Sequence, residues 1–454
     1  MSEPTQPGLQ AGFDRQLVRI AHRSVRYLVV EVKAPRIEAV PERPSPPLNL
    51  GLVIDASGSM GERDGHASQN LSRLEAAKRA AAEVVAQLGD ADCLSLVSFS
   101  NDARNHLAAL PLTAEGRRQA ALAIAELATR GSTNLHEGWL AGAEQVALHM
   151  ETHPACQNRV LLLSDGYANQ GVVDPHALAE VASGLRVRGI STSTVGVGEG
   201  YSSEQIEGIA AHGGGMLHHA QTPEEIAEVV LAELRDMQAT CIENLEVEVS
   251  CDVQADAGGS AETRIEVVGL VGREQEQGAC AVMGSLVGGA VRRVVFRIFV
   301  PPGPAGGTLR FLIQARWRVP GSKELQKAQV QVELHRATDE VVLPEVTVQN
   351  VGLEAARVWQ AEVVRQAVLL NGQGKYREAV RYVEKQLKYF RRFCSRLAAG
   401  ADLVTGLEET MERIARPMRE GARKEIATAM FKSPRAAFDA RAGARRDWRG
   451  HLRD

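Results

Sequence analysis

Four short apolar runs constrain this chain more than any other feature it has. They are LNLGLVID (48–55), CLSLVSFS (93–100), RVLLLSDG (159–166) and ISTSTVGVG (190–198). Each is too short for a globular helix and has the near-continuous apolar character of a strand covered on both faces. Amphipathic stretches separate them. Ser72-Arg73-Leu74-Glu75 and Thr222-Pro223-Glu224-Glu225 have capping-box form, and after the first of them Leu74, Ala77, Ala81, Val84 and Leu88 recur at helical spacing. Strand and helix in alternation predict a doubly wound α/β sheet over residues 48–238.

At 454 residues the chain is too long for that core alone. Residues 1–13 read as a flexible N-terminus. Residues 14–47 hold a strand, Arg26 to Val32, followed by the proline-rich link PERPSPP. A lone strand is unstable until it pairs, and the α/β sheet already has its own first strand at 48–55. The N-terminal strand is therefore expected along an edge of a later β-rich unit, which makes residues 48–238 an insertion. That unit covers 239–348, where Leu245, Val247, Val249 and Cys251 alternate with polar residues, as do Val330, Val332 and Leu334. Within it, VRRVVFRIFV, PPGPAGG and TLRFLIQARWRV read as a hairpin of an all-β sandwich. From 349 to 430 the period turns helical. One stripe is Ala356, Trp359, Val363, Ala367 and Leu370. After NGQG, Tyr376, Ala379, Val383, Leu387, Phe390, Cys394 and Leu397 form a second, which predicts a helical hairpin. A third helix, 402–430, is interrupted by Pro417. Residues 431–454 read as a basic tail.

The chemistry sits where the strands end. In an open α/β sheet, ligands bind beyond the carboxyl ends of the strands. The first strand ends in Asp55-Ala56-Ser57-Gly58-Ser59, the third in Ser164-Asp165-Gly166, and Gly131-Ser132-Thr133 precedes a helix. Carboxylate and hydroxyl oxygens are hard donors that suit Mg²⁺, Mn²⁺ or Ca²⁺. In this order and spacing, D-x-S-x-S, G-S-T and S-D-G resemble a von Willebrand factor type A domain with its Rossmann-like fold. Asp55, Ser57, Ser59, Thr133 and Asp165 match the five positions of that family's metal-ion-dependent adhesion site. The resemblance covers about 48–238 and departs from the family in the polar insert ERDGHASQN (62–70). It implies a Mg²⁺ (or Mn²⁺/Ca²⁺) ion, close to neutral between two aspartates, that accepts a Glu or Asp from a partner protein. It also implies an interaction scaffold or adaptor in place of an enzyme. The order of segments is similar to the inter-alpha-trypsin inhibitor heavy-chain-like group, and a bacterial, cytoplasmic protein is expected. Relatives of that kind point to an AAA-type ATPase or a signalling protein as partner.

Rival signals are weaker. His212-Gly213-Gly214-Gly215 lacks the G-x-S-x-G elbow a hydrolase would need. His218 and His219 are neighbours in a strand and so face opposite ways. The six cysteines form no C-x-x-C pair and read as reduced, mostly buried thiols. No signal peptide or membrane-spanning run is legible. A net charge of -4 argues against bulk attraction to nucleic acid. Arg377, Arg381, Lys385, Lys388 and Arg392 nonetheless form one basic stripe, a candidate dock for an acidic partner. The alternative function is a nucleic-acid-binding accessory that uses this stripe and the tail.

Overall fold

The computed structural model describes residues 6–36, 46–63, 71–252, 263–275 and 278–434. The chain divides into two compact units. The α/β unit comprises Ile37–Asn244 with Arg318–Glu324, and the β/helical unit comprises Met1–Arg36, Leu245–Trp317 and Leu325–Asp454.

The chain opens with β1 (Gly8–Phe13), β2 (Leu17–Arg19) and β3 (Ser24–Lys33). The α/β unit follows with β4 (Leu48–Asp55), α1 (Arg73–Gln87), β5 (Cys93–Phe99), β6 (Ala103–Pro111), α2 (Ala114–Ala125) and α3 (Leu135–Thr152). It continues through β7 (Gln157–Ser164), α4 (Pro175–Val187), β8 (Ile190–Val197), α5 (Ser203–Gly213), β9 (Gly214–Ala220) and α6 (Pro223–Gln238). The strand order is β6-β5-β4-β7-β8-β9, antiparallel only at the β5–β6 edge. Every residue of β4, β5, β7 and β8 is buried, which explains their largely apolar sequences and the lack of polar alternation, with only small hydroxyl residues interrupting β8. With β5 on one side of β4 and β7 on the other, the direction of winding reverses at β4. In sheets of this kind ligands bind at that point, beyond the carboxyl ends of the strands. The sequence reading overlooked β6, whose polar residues suit a half-exposed edge.

The β/helical unit adds β10 (Thr240–Asp252), β11 (Arg264–Val268), β12 (Gly272–Gln275), β13 (Gly278–Val287), β14 (Val291–Val300), β15 (Thr308–Arg318) and β16 (Leu325–Ala337). Its helices are α7 (Asp339–Val342), α8 (Gln349–Gly372), α9 (Tyr376–Cys394), α10 (Gly400–Ile414) and α11 (Glu420–Lys432). One sheet has the order β1-β3-β14-β11 and the other β12-β13-β10-β15-β16-β2. Phe13 of the first meets Phe311 of the second edge-to-face, with ring centroids 5.3 Å apart. On its other side the first sheet carries Tyr27, Val29, Val268 and Val295 into a core shared with Trp359, Val363, Phe390 and Ile426 of the helices.

Four expectations need correction. Residues 8–13 of the N-terminus are ordered as β1, paired with β3 along its length. The N-terminal strand is therefore interior, between β1 and β14, and β1 takes the edge. The apolar run in β3 carried this information, because the second sheet covers one face and the helices the other. Residues 291–319 form no hairpin: β14 pairs with β3 and β11, while β15 lies in the other sheet. The linker PPGPAGG changes sheets where a tight turn was expected. Finally, the third helix is two separate helices, α10 and α11, on either side of Pro417, and α11 runs on to Lys432 with Phe431 buried. The rest of the expected basic tail, 435–454, most of the proline-rich link and residues 64–70 of the insert lie outside the described residues.

Candidate metal centre

Asp55 closes β4 and is fully buried. Its Oδ1 accepts from the Ser57 amide at 2.8 Å and its Oδ2 accepts from Ser164 Oγ at 2.7 Å. Ser57 precedes and Ser59 lies within a short 3₁₀ turn, Gly58–Gly61, and their hydroxyls lie 3.0 Å apart. Ser59 Oγ in turn donates to Asp165 Oδ1 at 2.8 Å. One chain of polar contacts thus joins the ends of two adjacent strands. Thr133 sits on a third segment, held by reciprocal bonds with Asn169: its amide donates to Asn169 Oδ1 and its carbonyl accepts from the Asn169 amide, both at 3.2 Å. A Cβ on Gly166 would lie 3.1 Å from Thr133 Oγ1, which places that hydroxyl against the Asp165-Gly166 turn. The Gly58 amide donates to the Gly131 carbonyl at 3.1 Å and ties the serine loop to the threonine loop.

The electrostatics are those of a site short of positive charge. Burial, reinforced by Asp165, pushes the Asp55 carboxyl up to about 6 from its ordinary 3.8. Burial also raises Asp165, against the pull of Arg73 and Ser59. Two buried carboxylates interleaved with hydroxyls are the donor set a hard divalent cation accepts, and such an ion would relieve their repulsion. Glu233, another buried acid of the same unit, shows the contrast. Burial raises it, but His218 at 2.7 Å and Ser193 at 2.5 Å outweigh that, and its pKa is lowered.

Sequence reasoning missed two participants. Ser164 was read as part of S-D-G, yet its hydroxyl orients Asp55. Arg73 was read only as the start of a helix, yet its Nη1 lies 2.8 Å from Asp165 Oδ2. The capping box gave the available signal, because it puts residue 73 in the first turn of α1 beside the serine loop. The expectation of a near-neutral loaded site must be revised for this extra cation.

The rival signals have structural roles. Gly214, at φ 73°, caps α5, and a Cβ on Gly215 would meet the Thr192 carbonyl oxygen at 2.2 Å. His218 bonds Glu233 while His219 bonds Tyr201, on opposite faces of β9. All six cysteines are free thiols. Arg377, Arg381, Lys385, Lys388 and Arg392 are all exposed on α9, in the β/helical unit, and so are not part of this centre. No helix among the described residues is long and apolar enough to cross a membrane.

Residues 49–232 match the family model of the von Willebrand factor type A domain, and the α/β unit is such a domain. Over 206 residues the chain is 28% identical to the uncharacterized protein YfbK of Escherichia coli, a match covering 45% of this chain and 34% of that protein. Over 143 residues it is 29% identical to human inter-alpha-trypsin inhibitor heavy chain H3, covering 30% of this chain and 15% of the other. The chain thus spans well under half the length of these curated relatives. A solved von Willebrand factor type A protein from Catenulispora acidiphila aligns with 95% of this chain and 98% of its own, at a TM-score of 0.68 and 15% identity. That likeness concerns the fold, and it extends over both units.

Proposed function

We propose that this chain is a metal-dependent protein-interaction scaffold. Asp55, Ser57, Ser59, Thr133 and Asp165 would hold one Mg²⁺ (or Mn²⁺/Ca²⁺), with a coordination position left for a Glu or Asp of a partner protein. The observation that carries this reading is the pairing of two buried carboxylates on adjacent strand ends, linked through serine hydroxyls. When bound, the ion supplies a Lewis-acidic attachment point for a carboxylate. The protein's own part is to fix the donors: Ser164 orients Asp55, the Gly58–Gly131 bond closes the two loops, and Asn169 holds Thr133. Surface around the rim then sets partner choice. We assign the site no reaction and expect the chain to act in the cytoplasm. The partner is defined here by its acidic residue; an ATPase or a signalling protein would fit the family resemblance. Capture of partners by the tagged full chain, in Mg²⁺ and again in EDTA, tests the proposal. Capture should require Mg²⁺ and fail in Thr133→Ala; capture that survives chelation would move the interface elsewhere.

A second reading rests on α9. Arg377, Arg381, Lys385, Lys388 and Arg392 share one exposed face, and Tyr389, 59% exposed, lies one helical turn from Lys385 and Arg392. Cations beside an exposed aromatic suit a polyanion. Retention on single-stranded RNA or DNA that falls with salt and is lost on charge reversal of Lys385 and Lys388 would favour it. Salt-insensitive retention would remove it.

A further inference from the structure

We infer that Arg73 is a built-in counter-charge of the metal centre. It stands in for part of the missing positive charge when no cation is bound, and it leaves the loaded site positive enough to select a carboxylate. This rests on the metal-binding reading and adds to it a residue that lies outside the five donors.

The placement follows from local structure. Ser72 caps α1 by accepting from the Glu75 amide, and Glu75 reaches back to the Ser72 amide, which fixes Arg73 as the first helical residue. Side chains lean toward the N-terminus of a helix, so this one is directed over the loop that carries Ser57 and Ser59. Its Nη1 reaches Asp165 Oδ2 at 2.8 Å, with the arginine side chain only 11% exposed and the aspartate fully buried. The other oxygen, Oδ1, faces Ser59. The guanidinium therefore holds Asp165 from the side away from the serines, and a cation among the serines would not have to displace it. Gly198, at φ 62°, makes the room: a Cβ there would lie 3.1 Å from the guanidinium carbon. Glu62 is the nearby compensating acid, 3.9 Å from the same Nη1, but it is 68% exposed and largely screened by water.

Counting charge gives the consequence. Asp55 and Asp165 supply two negative charges and Arg73 one positive, so a divalent ion leaves the buried cluster at plus one, where the two aspartates alone would leave it neutral. A fixed positive charge a few ångströms away weakens cation binding and strengthens attraction for an incoming carboxylate. The two affinities should move in opposite directions when Arg73 loses its charge. A residue that merely packed would not produce that pattern.

The test uses the full chain, with Mg²⁺ binding read by calorimetry and carboxylate access read on Mn²⁺-loaded protein. In the second assay acetate displaces metal-bound water, and the fall in water proton relaxation is followed. Arg73→Gln should bind Mg²⁺ about tenfold more tightly and need about tenfold more acetate. It should also melt at a lower temperature in EDTA. Arg73→Lys should restore wild-type values. Glu62→Gln, an exposed change that does not threaten folding, should move both affinities the other way by about two- to threefold, less so at high salt. Unchanged Mg²⁺ and acetate affinities in Arg73→Gln, or in Glu62→Gln should the first variant fail to fold, would overturn the inference and leave the metal site standing. Absence of Mg²⁺ and Mn²⁺ binding in the wild type would overturn the underlying reading, and this inference with it.

Discussion

The α/β unit builds its six-stranded sheet from one uninterrupted stretch of chain, β4 to β9. The β/helical unit assembles both of its sheets from strands on either side of that stretch. Leu28 of β3 is paired with Phe296 of β14, although the whole α/β unit lies between them in sequence. The first arrangement can form from its own contacts. The second must bring distant segments together before any of its sheets is complete, and it bears that loop-closure entropy first. Their buried charges also differ. In the β/helical unit Arg297 lies 5.0 Å from the Trp359 ring centre and 5.7 Å from that of Tyr27, a cation matched to aromatic faces. In the α/β unit Arg73 pairs with Asp165, while Asp55 has only the Ser57 amide and the Ser164 hydroxyl as partners, so two buried aspartates face one cation.

The largest effect should come from separating the units. Residues 46–244 expressed alone should fold and keep a Mg²⁺-dependent rise in melting temperature. Residues 239–454 alone lack the strand that belongs between β1 and β14, and should be poorly soluble until a peptide of residues 6–36 is added or fused in front. A 239–454 fragment that melts cooperatively and ignores the peptide would break the contrast.

A smaller loss should follow from Trp359→Ala. Trp359 stacks on Tyr27 and meets Phe390 edge-to-face, so truncation should cost about 3–5 kcal/mol of β/helical stability. The Mg²⁺-induced shift of the other transition should be unchanged. If that shift vanished as well, the two units would be energetically coupled.

Next comes Asp55→Ala. A ligand at a hundred times its dissociation constant stabilises by about 2.7 kcal/mol, and this increment should be absent in the variant. In EDTA the variant should be at least as stable as expected for loss of the bonds from the Ser57 amide and Ser164, because a repelling carboxylate has gone. An equal Mg²⁺ response in variant and wild type would remove the assignment of the site.

What was legible in the sequence follows the same division. The α/β fold was readable because β4, β5, β7 and β8 are each buried on both faces and follow one another along the chain. The candidate donors could be picked out because three of them, Asp55, Ser57 and Ser59, fall within one pentapeptide. Arg73 was not, since nothing in R-L-E-A-A-K says that the first side chain of a helix turns back onto an aspartate 92 residues away. The β/helical unit was half legible. Alternation in β10 and β16 marked strands, but alternation carries no partner information. The sheet change at PPGPAGG therefore looked like a turn, and β1, whose glycines weaken the strand signal, looked like a flexible end.

The smallest effect concerns pH, and it separates two buried acids within the α/β unit. Glu233 has a lowered pKa because His218 and Ser193 outweigh its burial, so its contribution is complete above the ordinary carboxylate range. That contribution is lost only as pH falls through the lowered value. Asp55 has a raised pKa, about 6, from burial and from Asp165. The folded state then binds a proton more tightly than the unfolded chain, and this group adds stability as pH falls through 6 toward 4. In EDTA the wild type should therefore gain about 0.8 kcal/mol relative to Asp55→Asn between pH 7 and 5.5, read from urea midpoints. Mg²⁺ should reverse the sign for the wild type alone, because a cation needs the carboxylate deprotonated and is lost as the proton binds. Over this range Glu233 stays ionised and should itself contribute nothing to the slope. Parallel slopes for wild type and Asp55→Asn, with and without Mg²⁺, would mean that Asp55 is satisfied by its neighbours as Glu233 is, and has no deficit for a cation to fill.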